Sequence, residues 1–334
     1  MCSDDGGWIG RHVIDANITN HRTRNHTQML IIACIFDCLD PMLTIAAALS
    51  GKSVFTTPFG GPKREEAWHA KQRFADAKSD HLALVEAWKA WCKVKDQPWP
   101  AKKAFLQTNY LSLSALENLE SVRRQVLNDL VACGFAPPPS TGPAEAIDYT
   151  ANQYDVALLK CILVAGLAPQ IAKLVRPTKG QGAHFVVRDG SKVFIHPSSV
   201  NAKRVREAAA VGREALALYH RKVETTRVYL HDTTFVSSLS LLLFGTHVRI
   251  AREHGGVASK STTVVVDGWV GFKMREESSV LLKVLKKKVD EVLLLKIARP
   301  HEDHVRRLQP VVKTIRKLLH AEMVGSSLGA GMVV

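Results

Sequence analysis

The chain has little with which to staple or anchor itself. Its 334 residues include only six cysteines, at positions 2, 34, 38, 92, 133 and 161, and no two of them form a CxxC pair. That spacing argues against a disulfide framework and a cysteine-based zinc site, and points to reduced, mostly buried thiols of a cytosolic or nuclear protein. Cys34 and Cys38 lie four apart on a predicted helix and share a face, but two thiols alone make no metal site. Long apolar runs are also missing. The longest, such as Met29–Phe36, fall well short of the roughly 20 residues a membrane span needs, and the acidic, glycine-rich opening MCSDDGGWIG does not read as a signal peptide. No metal, cofactor or membrane association is expected.

The parts of most catalytic sites are missing too. Gly51-Lys52-Ser53 imitates the end of a phosphate-binding loop, but that loop needs another glycine five positions earlier, and position 46 is alanine. The residues before it, Leu43 to Leu49, read as a helix where a buried strand is required. HExxH zinc spacing is absent, and His301-Glu302-Asp303-His304 follows Pro300 at a predicted helix start, where acidic residues complement the helix dipole. Phosphoryl transfer needs a phosphate loop, a magnesium-binding acidic pair and an arginine finger, none of which is legible. ATP hydrolysis and duplex unwinding are not expected of these residues.

What is present is positive charge on an ordinary globular composition. There are 45 Lys and Arg against 31 Asp and Glu, a net charge of +14, with 46% apolar residues. A balance of that size favours a polyanionic partner and speeds its association, with nucleic acid the first candidate.

Residues 1–27 are polar and lack apolar periodicity, so they are expected to pack poorly. Helical spacing runs from Gln28 to Ser50, broken at Asp40-Pro41, then through Arg64–Trp91, Lys102–Ser112, Ser114–Cys133 and Asn152–Leu167. Trp68, Phe74, Leu82, Leu84, Val85, Trp88 and Trp91 are expected in a helical core. Pro137–Pro143 reads as a linker. Beyond Leu167 the period changes to two, predicting strands at 171–175, 185–187, 192–195, 216–222, 226–230, 241–244, 262–266 and 269–274. Many short strands suggest a small barrel, and Asp232-Thr233-Thr234 reads as turn chemistry. Helices over 278–297 and 305–323 close the chain, the first with a lysine cluster, Lys283 and Lys286–Lys288, read as a solvated face.

Ile195-His196-Pro197-Ser198-Ser199-Val200-Asn201 and the stretch Ala217–Gly245 resemble the C-terminal OB-fold module of the DEAH-box/RNA-helicase-A family of RNA helicases. Cys38-Leu39-Asp40-Pro41, Thr44–Ser50 and Lys78–Leu84 resemble that family's winged-helix end and the start of its ratchet-like helical domain. Val264–Phe272 is most similar to the larger, RNA-helicase-A-type members. The likeness covers roughly residues 28–320 and lacks the RecA-like motor domains. It implies an α+β chain: a winged-helix remnant over 28–58, a helical ratchet-like domain over 59–136, a linker over 137–151, an OB-fold β-barrel with flanking helices over 152–320 and a loose tail over 321–334.

OB folds hold single-stranded nucleic acid in a groove combining cations for the backbone with polar and aromatic groups for the bases. Arg221, Lys222, Thr225, Thr226 and Arg227 offer that mixture, and His196, Ser198, Ser199 and Asn201 occupy the other strongly patterned loop. For those last four, RNA contact and a purely structural role are both open. The resemblance implies an RNA-binding accessory region that forms part of a single-stranded RNA channel and braces a RecA-like motor, with a glycine-patch activator as a further partner. The alternative is a protein-interaction module that docks on a motor or its activator without touching RNA.

Overall fold

The structure, a computed structural model, describes residues 21–58, 60–136, 150–175, 182–205, 207, 215–251, 261–300 and 305–327. The expected linker at Pro137–Pro143 and the His301–His304 cluster lie outside them. Among the described residues there are ten helices and eight strands. In chain order they are α1 (His21–Ile35), α2 (Leu39–Leu49), α3 (Gly61–Gln72), α4 (Asp80–Cys92), α5 (Trp99–Asn109), α6 (Leu113–Ala132) and α7 (Val156–Leu167). Then come β1 (Ile171–Val175), β2 (His184–Val187), β3 (Lys192–Ile195), β4 (Leu216–Glu224), β5 (Val228–Val236), α8 (Ser238–Phe244), β6 (Val248–Ala251), β7 (Ser261–Val266), β8 (Val270–Arg275), α9 (Glu276–Ala298) and α10 (Val305–Ser327). They fall into two compact units, each discontinuous in sequence: residues 1–39, 129–169 and 236–334 in one, 40–128 and 170–235 in the other.

The first unit is built on α7, whose sequence VALLKCILVAGL is apolar except at Lys160 and is buried from Ala157 to Leu167 apart from that lysine. Asp155 caps it, accepting from Leu158 N at 3.2 Å, and also accepts from Arg316 Nε at 3.0 Å. That carboxylate ties α10 to the start of α7. Gly166 allows α1 to cross closely, since a Cβ there would sit 2.5 Å from Met29 Sδ. Strands β6, β7 and β8 form an antiparallel sheet. Its β7–β8 hairpin turns on Asp267-Gly268, both at positive φ, as the right-handed twist of paired strands prefers.

The second unit carries a helical core and the barrel. Trp88, Trp91, Leu106, Leu116 and Leu119 anchor the helices. Strands β1-β2-β3-β5-β4 close into a barrel in which β3 and β5 run parallel. Ala172, Leu174, Phe185, Val187, Val193, Ile195, Ala217 and Leu230 fill it. The α+β class and a barrel after the helical domain are those that the resemblance implied; the barrel has five strands.

Several local expectations are corrected. The first helix begins at His21, seven residues before Gln28. Arg64–Trp91 is two helices, separated where Lys78 takes positive φ and Ser79 caps α4 by accepting from Leu82 N. Leu241–Phe244 is the end of helix α8, capped by Ser237, and all four residues are buried. An apolar run that short carries no period to tell helix from strand. Residues 262–266 and 269–274 lie in the separate three-stranded sheet, whose first strand at Val248–Ala251 was not foreseen. Asp232-Thr233-Thr234 belongs to β5; Asp232 takes positive φ, and the two threonines after it are both buried, which breaks the alternation.

Candidate nucleic-acid interface

Interior anchors decide which polar side chains remain free for a ligand. Asp80, in the first turn of α4, is buried and accepts from five groups. These are Lys71 Nζ at 2.5 Å, Val200 N at 3.1 Å, Thr233 N at 2.8 Å, Thr233 Oγ1 at 3.4 Å and the hydroxyl of Ser199. Burial alone would raise its pKa; the Lys71 ammonium and the hydrogen bonds from Lys71, Ser199 and Thr233 outweigh it and hold the carboxyl below its usual range. Next to it Thr234 Oγ1 meets Ser79 Oγ at 2.6 Å and His81 Nδ1 at 2.7 Å. The Lys78–Leu84 motif thus bonds α4 to β5.

The 196–201 loop is held from α3, where Lys71 Nζ, Trp68 Nε1 and Gln72 Nε2 donate to the carbonyls of Ser198, Ser199 and Val200 at 3.2, 3.3 and 3.2 Å. Ser199 and Asn201 are buried, and Asn201 Nδ2 donates to Thr233 O at 3.1 Å. His196 and Ser198 stay half-buried at the surface. The backbone N–H of Ser198 donates to His196 Nδ1 at 3.2 Å, so the imidazole carries its proton on Nε2. Its ring stacks on His231 with centroids 4.0 Å apart. Burial, with His231 and Arg64 adding repulsion, pushes the His196 pKa down to about 4.

The hairpin joining β4 to β5 is the exposed counterpart, since every residue from Arg221 to Arg227 faces solvent. Thr225 closes the turn, its N–H and Oγ1 donating to Arg227 O at 3.0 and 3.3 Å. Thr226 stands at the tip. Arg221 lies 3.6 Å from Asp232, and Lys222 Nζ donates to Asp189 Oδ2 and Ser191 Oγ at 2.8 Å each. Those bonds from Lys222 and Ser191 hold Asp189 well below the usual carboxylate range. Arg227 lies over the Phe194 ring, 5.0 Å from its centroid.

The chain with this barrel, exposed cationic hairpin and Ser79-Asp80-His81 anchor matches three family models by sequence. Residues 25–84 match the ratchet-like helicase associated domain (HA2), residues 159–248 the oligonucleotide/oligosaccharide-binding fold and residues 262–321 the C-terminal domain in RNA helicases. The ATP-dependent DNA/RNA helicase DHX36 of Bos taurus is 33% identical over 82% of this chain and 26% of its own length. The ATP-dependent RNA helicase DHX29 of Mus musculus is 34% identical over 82% of this chain and 19% of its own. For the DExH-box ATP-dependent RNA helicase DExH1 of Arabidopsis thaliana the figures are 32%, 94% and 29%. The chain is homologous to the DEAH-box helicases. It carries their helicase-associated, OB-fold and C-terminal domains, and spans less than a third of the length of each of these relatives.

Within this helicase region the structure brings the two predicted clusters onto one barrel, with β3 and β5 running from one to the other. Sequence reasoning passed over Lys192, Phe194, Tyr229 and His231 on those strands. A signal was available: Lys192-Val193-Phe194-Ile195-His196 and Arg227-Val228-Tyr229-Leu230-His231 repeat one pattern class by class.

Other candidates fall elsewhere. Gly51-Lys52-Ser53 is an exposed loop after helix α2. Gly325 to Gly329 spells GxSxG, but α10 runs through Ser327, whereas a nucleophile elbow needs a strand-to-helix turn. Lys286, Lys287 and Lys288 pair with Asp290 and Glu291 along α9. Cys34, Cys38 and Cys161 are buried, and burial pushes the Cys34 thiol up to about 12, so it is inert. Among the described residues no helix is long and apolar enough to cross a membrane.

Proposed function

We propose that this chain is the RNA-binding accessory region of a DEAH-box helicase, forming part of a single-stranded RNA channel and bracing an ATPase motor in the cytoplasm or nucleus. The observation that carries the reading is the β4–β5 hairpin. It offers three cations and two threonine hydroxyls to solvent, on a barrel fixed by a buried polar clamp. Cations of this reach meet phosphates, and short hydroxyls suit a base edge or a ribose 2′-OH. His196 and Ser198 belong to the proposed surface; Ser199 and Asn201 support it from inside. The division at 28–58, 59–136 and 152–320 into winged-helix end, ratchet and OB module is part of the same reading.

A second reading has its own observation. Val280, Leu281 and Val284 on α9 are 55%, 71% and 55% exposed, an apolar stripe that suits a protein partner such as a RecA-like motor or a glycine-patch activator. Fluorescence anisotropy of the full chain with a labelled single-stranded RNA separates the two. Binding that weakens steeply with salt is expected; an absence of binding at low salt, together with capture of a motor domain, would overturn the RNA reading.

A further inference from the structure

The repeated pentapeptides of β3 and β5 are paired in the fold. The strands run parallel with Phe194 opposite Tyr229 and Ile195 opposite Leu230, and His196 N donates to Leu230 O at 3.0 Å. In a strand successive side chains alternate between faces. Val193, Ile195 and Leu230 therefore enter the barrel, and the residues between them face outward. The outward face is a ladder of three matched rungs: Lys192 beside Arg227, Phe194 beside Tyr229, His196 beside His231. The two cations are exposed and the four rings half-buried.

Each rung is closely organised. The Phe194 and Tyr229 centroids are 6.5 Å apart at 53°, Tyr229 meets His196 edge-on at 5.5 Å, and the two imidazoles stack at 23°. Lys192 and Arg227 both lie over Phe194, at 5.8 and 5.0 Å from its centroid. Among the described residues neither forms an ion pair, whereas Arg221 and Lys222 each face a carboxylate. A barrel has no structural need for two aromatic or imidazole rungs on its outer side, where alternation ordinarily supplies plain polar residues. Aromatic rings on adjacent strands of an open sheet face are, by contrast, the general means of stacking successive bases of a single strand.

We propose that the outer face of the β3–β5 ladder is a base-stacking platform for single-stranded RNA, taking successive bases on the Phe194–Tyr229 and His196–His231 rungs while Lys192 and Arg227 hold the adjoining phosphates. The proposal rests on the RNA reading above and locates where bases, as distinct from phosphates, are held. Arg227 belongs to both the hairpin and the ladder, so the strand passes from one to the other without a gap. Lowered pKa values keep both imidazoles uncharged at neutral pH, and an uncharged ring can lie flat on a base of any identity. The platform is accordingly indifferent to sequence.

The test is anisotropy of the full 334-residue chain with a labelled oligouridylate and with an abasic oligoribonucleotide of equal length. Stacking predicts that the wild type holds the base-bearing strand about tenfold tighter or more. The Phe194→Leu/Tyr229→Leu double variant keeps apolar bulk and the imidazole rung, and is expected to shrink that difference several-fold while leaving the abasic affinity and the salt slope unchanged. Tyr229→Phe keeps the ring and is expected to retain the difference. If the double variant loses its fold by circular dichroism, crosslinking of 4-thiouridine RNA to the wild type decides: adducts on the 192–196 or 227–231 peptides support the platform, and adducts confined elsewhere overturn it. Equal wild-type affinity for both strands overturns the platform and leaves phosphate-held RNA binding intact. No binding of either strand overturns the RNA reading as well.

Discussion

Lys71 donates to Asp80 at 2.5 Å inside the barrel-bearing unit, with side chains only 11% and 2% exposed. The remaining Asp80 bonds go to Ser199, Val200 and Thr233, so one carboxylate joins two helices, a loop and a strand. Removing one member of a buried pair strands the other without its solvent or its partner.

Asp80→Ala is therefore expected to lower stability by about 3–5 kcal/mol, against about 1 kcal/mol for Ser199→Ala, measured by urea denaturation. Because the Asp80 pKa lies below its unfolded value, its contribution is complete above the unfolded pKa and is lost as pH falls through the folded one. A loss under 1 kcal/mol for Asp80→Ala would show that the clamp is dispensable.

His196 gives the opposite end of the acid range. Its folded pKa of about 4 lies below the ordinary imidazole value, so the unfolded chain takes up the proton first as pH falls. Stability is complete above the ordinary value and declines on acidification down to about pH 4. His231 and Arg64 oppose the charge, as does Lys71, while Asp232 favours it. His196→Asn is expected to flatten the decline in a pH series of thermal melts; an unchanged profile would assign it to other groups.

For the hairpin, Lys222→Ala with Arg227→Ala should flatten the plot of log affinity against log salt by about one to two units, at roughly 0.7 per phosphate contact on a single strand. Thr225→Val leaves charge alone and should weaken binding with the slope unchanged. Asp189→Asn releases Lys222 from its carboxylate and should tighten binding a few-fold at low salt. If the double alanine variant keeps both affinity and slope, phosphates are met elsewhere.

Gly245 follows α8, and a Cβ there would come within 2.5 Å of Leu241 O and 2.6 Å of Val266 Cγ1. The first contact is backbone and cannot swing away. Gly245→Ala is expected to cost about 1–3 kcal/mol, read as a lower thermal midpoint; a neutral result would mean that α8 shifts freely against β7.

Most strands and long helices were legible because apolar spacing is a direct record of which face is buried, as for β7, β8 and α9. The failures have physical causes. Leu241–Phe244 is apolar at every position, and helix and strand then read alike; a backbone turn at Lys78 left no trace in the spacing of Arg64–Trp91. At the candidate site the cations of the hairpin were visible as residue types. Burial was not: Ser199 and Asn201 look as free as Ser198 in sequence, and only the fold places Asp80 and Thr233 against them. The pairing of β3 with β5 was hidden for a similar reason, since parallel neighbours need no turn between them to announce the register.

The division of the chain into interleaved segments has a consequence for any attempt to move or shorten it. Residues 170–235 build the barrel, yet the carboxylate, imidazole and ammonium that satisfy its loop and last strand come from Lys71, Asp80 and His81, about a hundred residues earlier. Released as a contiguous fragment, the barrel would leave the Val200 and Thr233 N–H groups without the carboxylate that accepts from them, and Ser199 Oγ with Thr233 Oγ1 alone. The two stretches are heritable only as a set, and a gene fusion that carries the barrel must bring α3 and α4 with it.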